Sequence, residues 1–247
     1  MRVKDIYRFL DTLFPFSSAC EFDNVGLLIG QSEKEVKTAV IALDCTDKVI
    51  DTAIKNKAEL IITHHPVIFD PLKSITNEDI ALRLIKNGIS VISAHTNMDM
   101  GDGGVNDCLA DALDIKNTEK LICSDGFIIR QGNLKTKMTA DEFAIFAEDK
   151  LGLKPRYNRA KNAVSRVVLC SGSGGETLRE AINIGADALI TADVKHHIFL
   201  EAEHRGISVF DCGHFHTENV VVGPLTEKLI GQFPEIHFIK ETDSIII

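Results

Sequence analysis

The sequence of 247 residues predicts an α/β protein made of two similar lobes from an internal duplication, each with mainly parallel central strands and flanking helices. Three observations carry this reading. Short apolar runs rich in Val and Ile alternate with longer segments of helical period, the pattern of buried parallel strands joined by helices. Residues 47–63 align without gaps with residues 175–191, at an offset of 128. Apolar residues make up 45% and charged residues 26%, so a substantial core can be buried, and disordered, collagen-like and disulfide-scaffold classes find no support.

In chain order, strands are expected at 38–43, 60–62 and 90–93, and again at 164–169, 188–190 and 207–210. Each lobe then reads strand, helix, strand, helix, strand. Gly88-Ile-Ser-Val91 recurs as Gly206-Ile-Ser-Val209 at an offset of 118, a shortening that fits extra residues after Pro66 in the first copy. Between the copies the chain changes character from about 115 to 161, with an extended run at 127–130 and a helix whose start, Thr139-Ala-Asp-Glu142, fits a capping box. The first lobe is assigned to residues 1–115 and the second to 116–247, including the connecting segment at about 116–161; a single compact unit is left open.

The 27 basic and 36 acidic side chains give a formal net charge of −9. Such a chain is repelled at long range by nucleic acids and anionic membranes, so nucleic acid is the least favoured partner. No run approaches the roughly 18 apolar residues of a membrane helix, and the first residues, broken by Asp and Arg, do not read as an export signal. Six cysteines stand singly, without a CxxC pair. A soluble cytoplasmic protein with reduced thiols is expected.

The chemistry concentrates just after the strands. Thr63-His64-His65 and Ala94-His95-Thr96 follow strands of the first copy, and Thr191-Ala192-Asp193 and Gly213-His214 follow strands of the second. Open α/β sheets bind ligands outside the carboxyl ends of their strands. Adjacent His64 and His65 project to opposite sides of an extended segment, which suits one imidazole for each of two nearby cations. Asp99 follows His95 by four residues, and Glu218 follows His214 by four, so each copy supplies a histidine and a carboxylate on one short segment.

Imidazole nitrogens with carboxylate oxygens and no thiolate favour zinc, iron or manganese. Two divalent ions per subunit, held by His64, His65, Asp99, His214 and Glu218, are the resulting expectation. Taken singly, each of these residues has a bland explanation, as a strand cap, a polar turn or a solvated acid; their coincidence at strand ends favours a site. His95, His197 and Asp193 are candidates for acid/base work or for supporting the ligands.

Three further features have both a functional and a structural reading. Cys170-Ser-Gly-Ser-Gly-Gly175, after a strand and before a helix, is either a phosphate cradle or a tight turn. Gly101-Asp-Gly-Gly-Val-Asn-Asp107 is a lid or a turn, and Cys212 is read as packing. Residues 150–166 hold six basic and no acidic side chains, a phosphate-steering strip or a solvated loop.

These motifs resemble the Nif-three-like dinuclear metal-centre proteins, also known as GTP cyclohydrolase I type 2 homologues. The resemblance rests on DNVGLLIG (23–30), ITHHPVIF (62–69), AHTNMD with GGVND (94–107), CSGSGG (170–175), TADVKHH (191–197) and CGHFHTE (212–218), and covers nearly the whole chain. It implies that His64, His65, Asp99, His214 and Glu218 stand at the family's ligand positions, the same five that spacing selects. It also implies a ring-shaped homo-oligomer, commonly a hexamer, with metal sites facing an internal cavity, and no inserted domain of the kind longer relatives carry. Phe22 stands where many members have Trp and His196 where many have Tyr, neither at a ligand position.

The expected function is a metal-dependent hydrolase acting on a nucleotide or related substrate; if that substrate is GTP, CSGSGG and the stretch around Arg156 and Arg159 would receive its triphosphate. The alternative is a non-catalytic metal-binding scaffold.

Overall fold

The computed structural model describes residues 1–77, 79–159 and 163–242. The chain opens with α1 (Val3–Leu13), β1 (Gly26–Ile29), β2 (Thr38–Ala42), α2 (Asp47–Lys55), β3 (Leu60–Thr63), α3 (Ile80–Lys86), β4 (Ser90–Ser93) and the short α4 (Thr96–Met100). It continues through α5 (Val105–Ala112), β5 (Lys116–Ile122), β6 (Ile128–Met138), α6 (Ala140–Leu151) and β7 (Arg156–Tyr157). The second set follows as β8 (Val164–Ser173), α7 (Leu178–Asn183), β9 (Ala188–Ala192), α8 (His196–Arg205), β10 (Ser208–Asp211) and α9 (His214–Glu218), and the described chain closes with α10 (Val222–Gln232) and β11 (His237–Glu241).

Two compact units result: Met1–Asp102 with the segment from Val222 onward, and Gly103–Val221. The division falls earlier than residue 115, and the last segment returns to the first unit. The reason is packing: Leu109, Leu113 and Ile115 are buried in the second unit's core, while β11 adds parallel to β2 at the edge of the first sheet.

The first sheet has the order β1-β4-β3-β2-β11, with β4, β3, β2 and β11 mutually parallel and β1 antiparallel. Val40, Ile61 and Val91 on its three central strands pack against Ile50 and Ala53 of α2 and Leu84 of α3. Burying each large aliphatic contributes about 1.5–3 kcal/mol, which is what holds these short helices to the sheet. The second sheet, β5-β6-β8-β9-β10-β7, keeps a parallel centre in β8, β9 and β10 and antiparallel strands outside it. Both faces of that centre are covered: Val168, Leu189 and Val209 pack on Ala181 and Ala202, and Leu169, Ile190 and Phe210 pack on Phe143 and Ala144.

The expected capping box is present, Thr139 Oγ1 accepting from the Glu142 amide and Glu142 returning the bond, and Gly152 at φ +77° ends α6. The repeat holds at the level of single bonds. The Glu59 amide donates to Thr38 O and the Asp187 amide to Arg166 O; the Ser90 amide donates to Glu59 O and the Ser208 amide to Asp187 O. The side chains agree too: Glu59 accepts from the amides of Lys37 and Thr38, and Asp187 from those of Ser165 and Arg166. The acid shared by the two aligned segments therefore stitches the start of each first strand to its neighbour. Among the described residues no helix is long and apolar enough to cross a membrane.

Candidate metal centre

In the first unit, the register aligns Ala42, Thr63 and Ser93, so the residues after β2, β3 and β4 leave the sheet at one edge. The amides of His64 and His65 both donate to Leu43 O, at 3.2 and 3.0 Å, and the Ala94 amide donates to Thr63 O at 3.0 Å. These bonds bring three imidazoles together. His64, His65 and His95 each offer a ring nitrogen within 4.8 Å of the others. On α4, the Asp99 carboxylate lies 3.6 Å from His64 Nε2, both side chains being almost completely buried.

The imidazoles share one orientation. His64 Nδ1 lies 3.0 Å from Ala94 O, His65 Nδ1 2.7 Å from Asp44 Oδ1, and His95 Nδ1 2.9 Å from Asp23 Oδ1. Carbonyl and carboxylate oxygens only accept, so Nδ1 is the protonated nitrogen in each ring and Nε2 is the one left to act as a ligand. Asp23 also accepts from the amide and hydroxyl of Thr96. Burial alone would raise its carboxyl, but the hydrogen bonds from His95 and Thr96 and the charge of His95 outweigh burial and hold it at about 2.

The second unit repeats the device at the ends of its own strands. His214 opens α9 and Glu218 closes it, with Nε2 and Oε2 3.0 Å apart. His214 Nδ1 donates to Asp193 Oδ2 at 2.6 Å, and Asp193, just after β9, has φ +52°, a left-handed conformation that Asp tolerates better than most residues. The bond to Glu218, opposed by burial and reinforced by Asp193, pushes the His214 pKa up to about 9. Without a cation both of its ring nitrogens then carry protons at neutral pH.

Glycine is required beside this pair. Gly172, at φ +60°, lies so close that a Cβ would collide with Glu218 Oε1 and approach His214 Nε2 to 3.2 Å. Cys170-Ser-Gly-Ser is the end of β8, and the amides of Ser171, Gly172 and Gly174 donate to Asn106 Oδ1, Thr217 Oγ1 and Thr191 Oγ1. The segment makes room for a carboxylate; these three amides are not offered to a phosphate.

Four of the six basic residues of that stretch are likewise engaged. Arg156 pairs with Asp211 and donates to Val194 O, Arg159 pairs with Asp141 at 2.8 Å, Lys150 with Asp114 at 3.1 Å, and Arg166 donates to Ile184 O and Gln131. Lys161 of the same stretch lies outside the described residues. From Gly103 the glycine-rich loop is a fixed turn, because Asp107 accepts from the Gly103 amide and grips the buried Arg130 through two bonds of 2.6 and 3.0 Å. His197 stands exposed on α8, outside the hydrogen bonds and ion pairs found among the described residues.

The donor set fits a divalent cation of the zinc, iron or manganese kind: imidazole nitrogens oriented through their other nitrogen, carboxylates, and no thiolate. Cys212 is fully buried and its thiol is pushed up by burial, so it stays protonated packing. Sequence reasoning missed Asp23 and Asp44. Asp23 is legible only as part of DNVGLLIG, and Asp44 only as a polar residue just past the end of β2.

Fold and site together define a duplicated α/β protein with candidate metal ligands at the carboxyl ends of its parallel strands. The chain belongs to the Duf34/NIF3 (NGG1p interacting factor 3) family, whose model matches residues 1–244. It is 35% identical over 239 residues to a Clostridium perfringens protein named GTP cyclohydrolase 1 type 2 homolog, covering 93% of this chain and 91% of that one. It is 32% identical to a Clostridium acetobutylicum protein of the same name, covering 94% and 90%. A hypothetical protein of Staphylococcus aureus has the same fold, with a TM-score of 0.93 at 28% identity over 100% of this chain and 98% of that one. The resemblance drawn from the six motifs is borne out.

Proposed function

We propose that this chain is a metal-dependent hydrolase that holds two divalent cations and acts on a nucleotide or related substrate. The observation that carries the reading is convergence: His64, His65 and His95 bring ring nitrogens within 4.8 Å of one another, and Asp99 meets His64 and Glu218 meets His214. Nδ1 held by an oxygen orients each of these rings but is not by itself diagnostic, since His216 Nδ1 meets Leu151 O in the same way. The names of the Clostridium relatives support the substrate class.

In this reading His64, His65 and Asp99 are the cation ligands of the first unit and His214 and Glu218 those of the second, the two carboxylates offsetting part of the added charge. Bound divalent cations lower the pKa of water from 15.7 toward about 7 and so supply a nucleophile at neutral pH. His95, its Nδ1–H fixed on Asp23, keeps Nε2 to accept and return a proton. Asp193 fixes His214, and His197, exposed on α8, is assigned to acid/base work on its residue type alone. We propose further that the working form is a homohexamer.

The test is a screen of zinc-, iron- and manganese-loaded protein against nucleoside triphosphates, GTP among them, with His65→Ala and Glu218→Ala alongside. Hydrolysis by the loaded wild type, lost with the metal in both variants, supports the reading. Hydrolysis that persists in metal-free variants overturns it. Full metal occupancy with no turnover on any nucleotide reassigns the chain to a metal-binding scaffold.

A further inference from the structure

We infer that Asp44 and Asp193 are positioning residues, one in each unit, that hold the Nδ1–H of His65 and of His214 and so leave Nε2 of each ring as the donor to a cation. The inference deepens the metal-binding reading and rests on it.

The geometry within each unit is direct. His65 Nδ1 lies 2.7 Å from Asp44 Oδ1, and His214 Nδ1 lies 2.6 Å from Asp193 Oδ2. The bifurcated bonds from the His64 and His65 amides to Leu43 O place the imidazole pair beside the exit of β2, where Asp44 sits. Asp193 holds a left-handed backbone at φ +52° while making its bond, a conformation that costs a non-glycine residue free energy and persists where the surroundings demand it.

The repeat shows that the two pairs are not a single inherited feature. Ile41 pairs with Ile62, and Leu169 with Ile190, so the offset of 128 maps β2 onto β8 and β3 onto β9. The same offset carries Asp44 to Gly172 and His65 to Asp193, and the offset of 118 carries Thr96 to His214. In the first unit the carboxylate leaves the first strand and the imidazole the second. In the second unit both have moved one strand along, and a register shift in β8 between Leu169 and Ser173 breaks the residue-by-residue correspondence at the place where Asp44 would recur. A carboxylate–imidazole pair therefore stands in both copies on non-equivalent positions, which a common requirement explains and common descent of the pair does not.

Which nitrogen of an imidazole binds a metal is set by the hydrogen bond the other makes, and loss of such a partner typically lowers metal affinity 10–100-fold. The experiment uses the full chain and zinc alone as the probe, in competition with a chromogenic chelator. Asp44→Ala and Asp193→Ala are expected to bind zinc about 10–100-fold more weakly. Asp44→Asn and Asp193→Asn, whose amide oxygen still accepts from Nδ1–H, are expected to recover part of the loss.

Nitrogen-15 NMR of the metal-free protein gives an independent readout. His65 is expected in the Nδ1–H tautomer in the wild type and in Asp44→Asn, and to leave that tautomer in Asp44→Ala. Zinc affinity unchanged in both alanine variants, or an unchanged His65 tautomer in Asp44→Ala, overturns the assignment. A wild type that takes up no zinc refutes the metal-binding reading instead, while the tautomer measurement still decides what Asp44 does.

Discussion

Gly172 leaves the space that Glu218 occupies: at φ +60°, it has no Cβ where one would overlap Oε1 of that carboxylate. Alanine at this position meets two penalties, a left-handed backbone and an overpacked contact with a buried group. Together they are expected to cost roughly 2–4 kcal/mol. Gly172→Ala should show this as a lower denaturant midpoint and should lose bound metal, because the displaced group is a candidate ligand. An alanine variant of wild-type stability and metal content would refute the packing described here.

Glu59 and Asp187 do the same work in the two units, each accepting two backbone amides at the start of the neighbouring strand. Hydrogen bonds to a charged group contribute about 1.5–3 kcal/mol, less where the group is part exposed as these are. Glu59→Ala and Asp187→Ala are each expected to destabilise by roughly 1–3 kcal/mol, and by similar amounts, in urea unfolding followed by a probe in each unit.

Arg130 is 2% exposed and its guanidinium is gripped by Asp107. Removing Asp107 deprives a buried guanidinium of two charge-assisted hydrogen bonds, a loss of roughly 2–4 kcal/mol. Asp107→Ala should therefore unfold at markedly lower denaturant than Lys150→Ala, which removes only an exposed ion pair with Asp114.

The Asp23 carboxyl, at about 2 against an ordinary value of 3.8, is a stability term with a defined sign. Its pKa is lower folded than unfolded, so its contribution is fully present above about pH 4 and disappears as pH falls toward 2. The size is on the order of 1–2 kcal/mol. Acid unfolding between pH 4 and 2 should be less steep in Asp23→Asn than in the wild type, whereas curves of equal slope would remove Asp23 from the account.

Much of this molecule is legible in its residues, for physical reasons. The central strands are buried on both faces, so they read as continuous Val and Ile runs: 90–93 is β4 to the residue, and 38–43 and 188–190 overlap β2 and β9. Histidines at strand exits stand out because apolar runs end on them. What sequence alone hides is long-range partnership. Nothing local to Asp44 marks it as the partner of His65, 21 residues on. Nothing in the residues around Arg156 shows that Asp211 pairs with it, or that Lys150 and Arg159 of the same apparent cationic strip also pair with acids. The glycines of Cys170-Ser-Gly-Ser-Gly-Gly175 have the composition of an anion cradle, and only the position of the Glu218 side chain gives Gly172 its other purpose. The return of the chain to the first unit depends on β11, a short strand with no counterpart in the repeat.

Metal content is the readout of whether His65 in the first unit and Glu218 in the second each bind a cation. Protein dialysed against zinc, freed of excess and measured by elemental analysis should carry two ions per chain. His65→Ala, in the first unit, and Glu218→Ala, in the second, should each fall well short of that while keeping the wild-type circular dichroism. A wild type without bound metal, or two ions retained in both variants, would contradict the account.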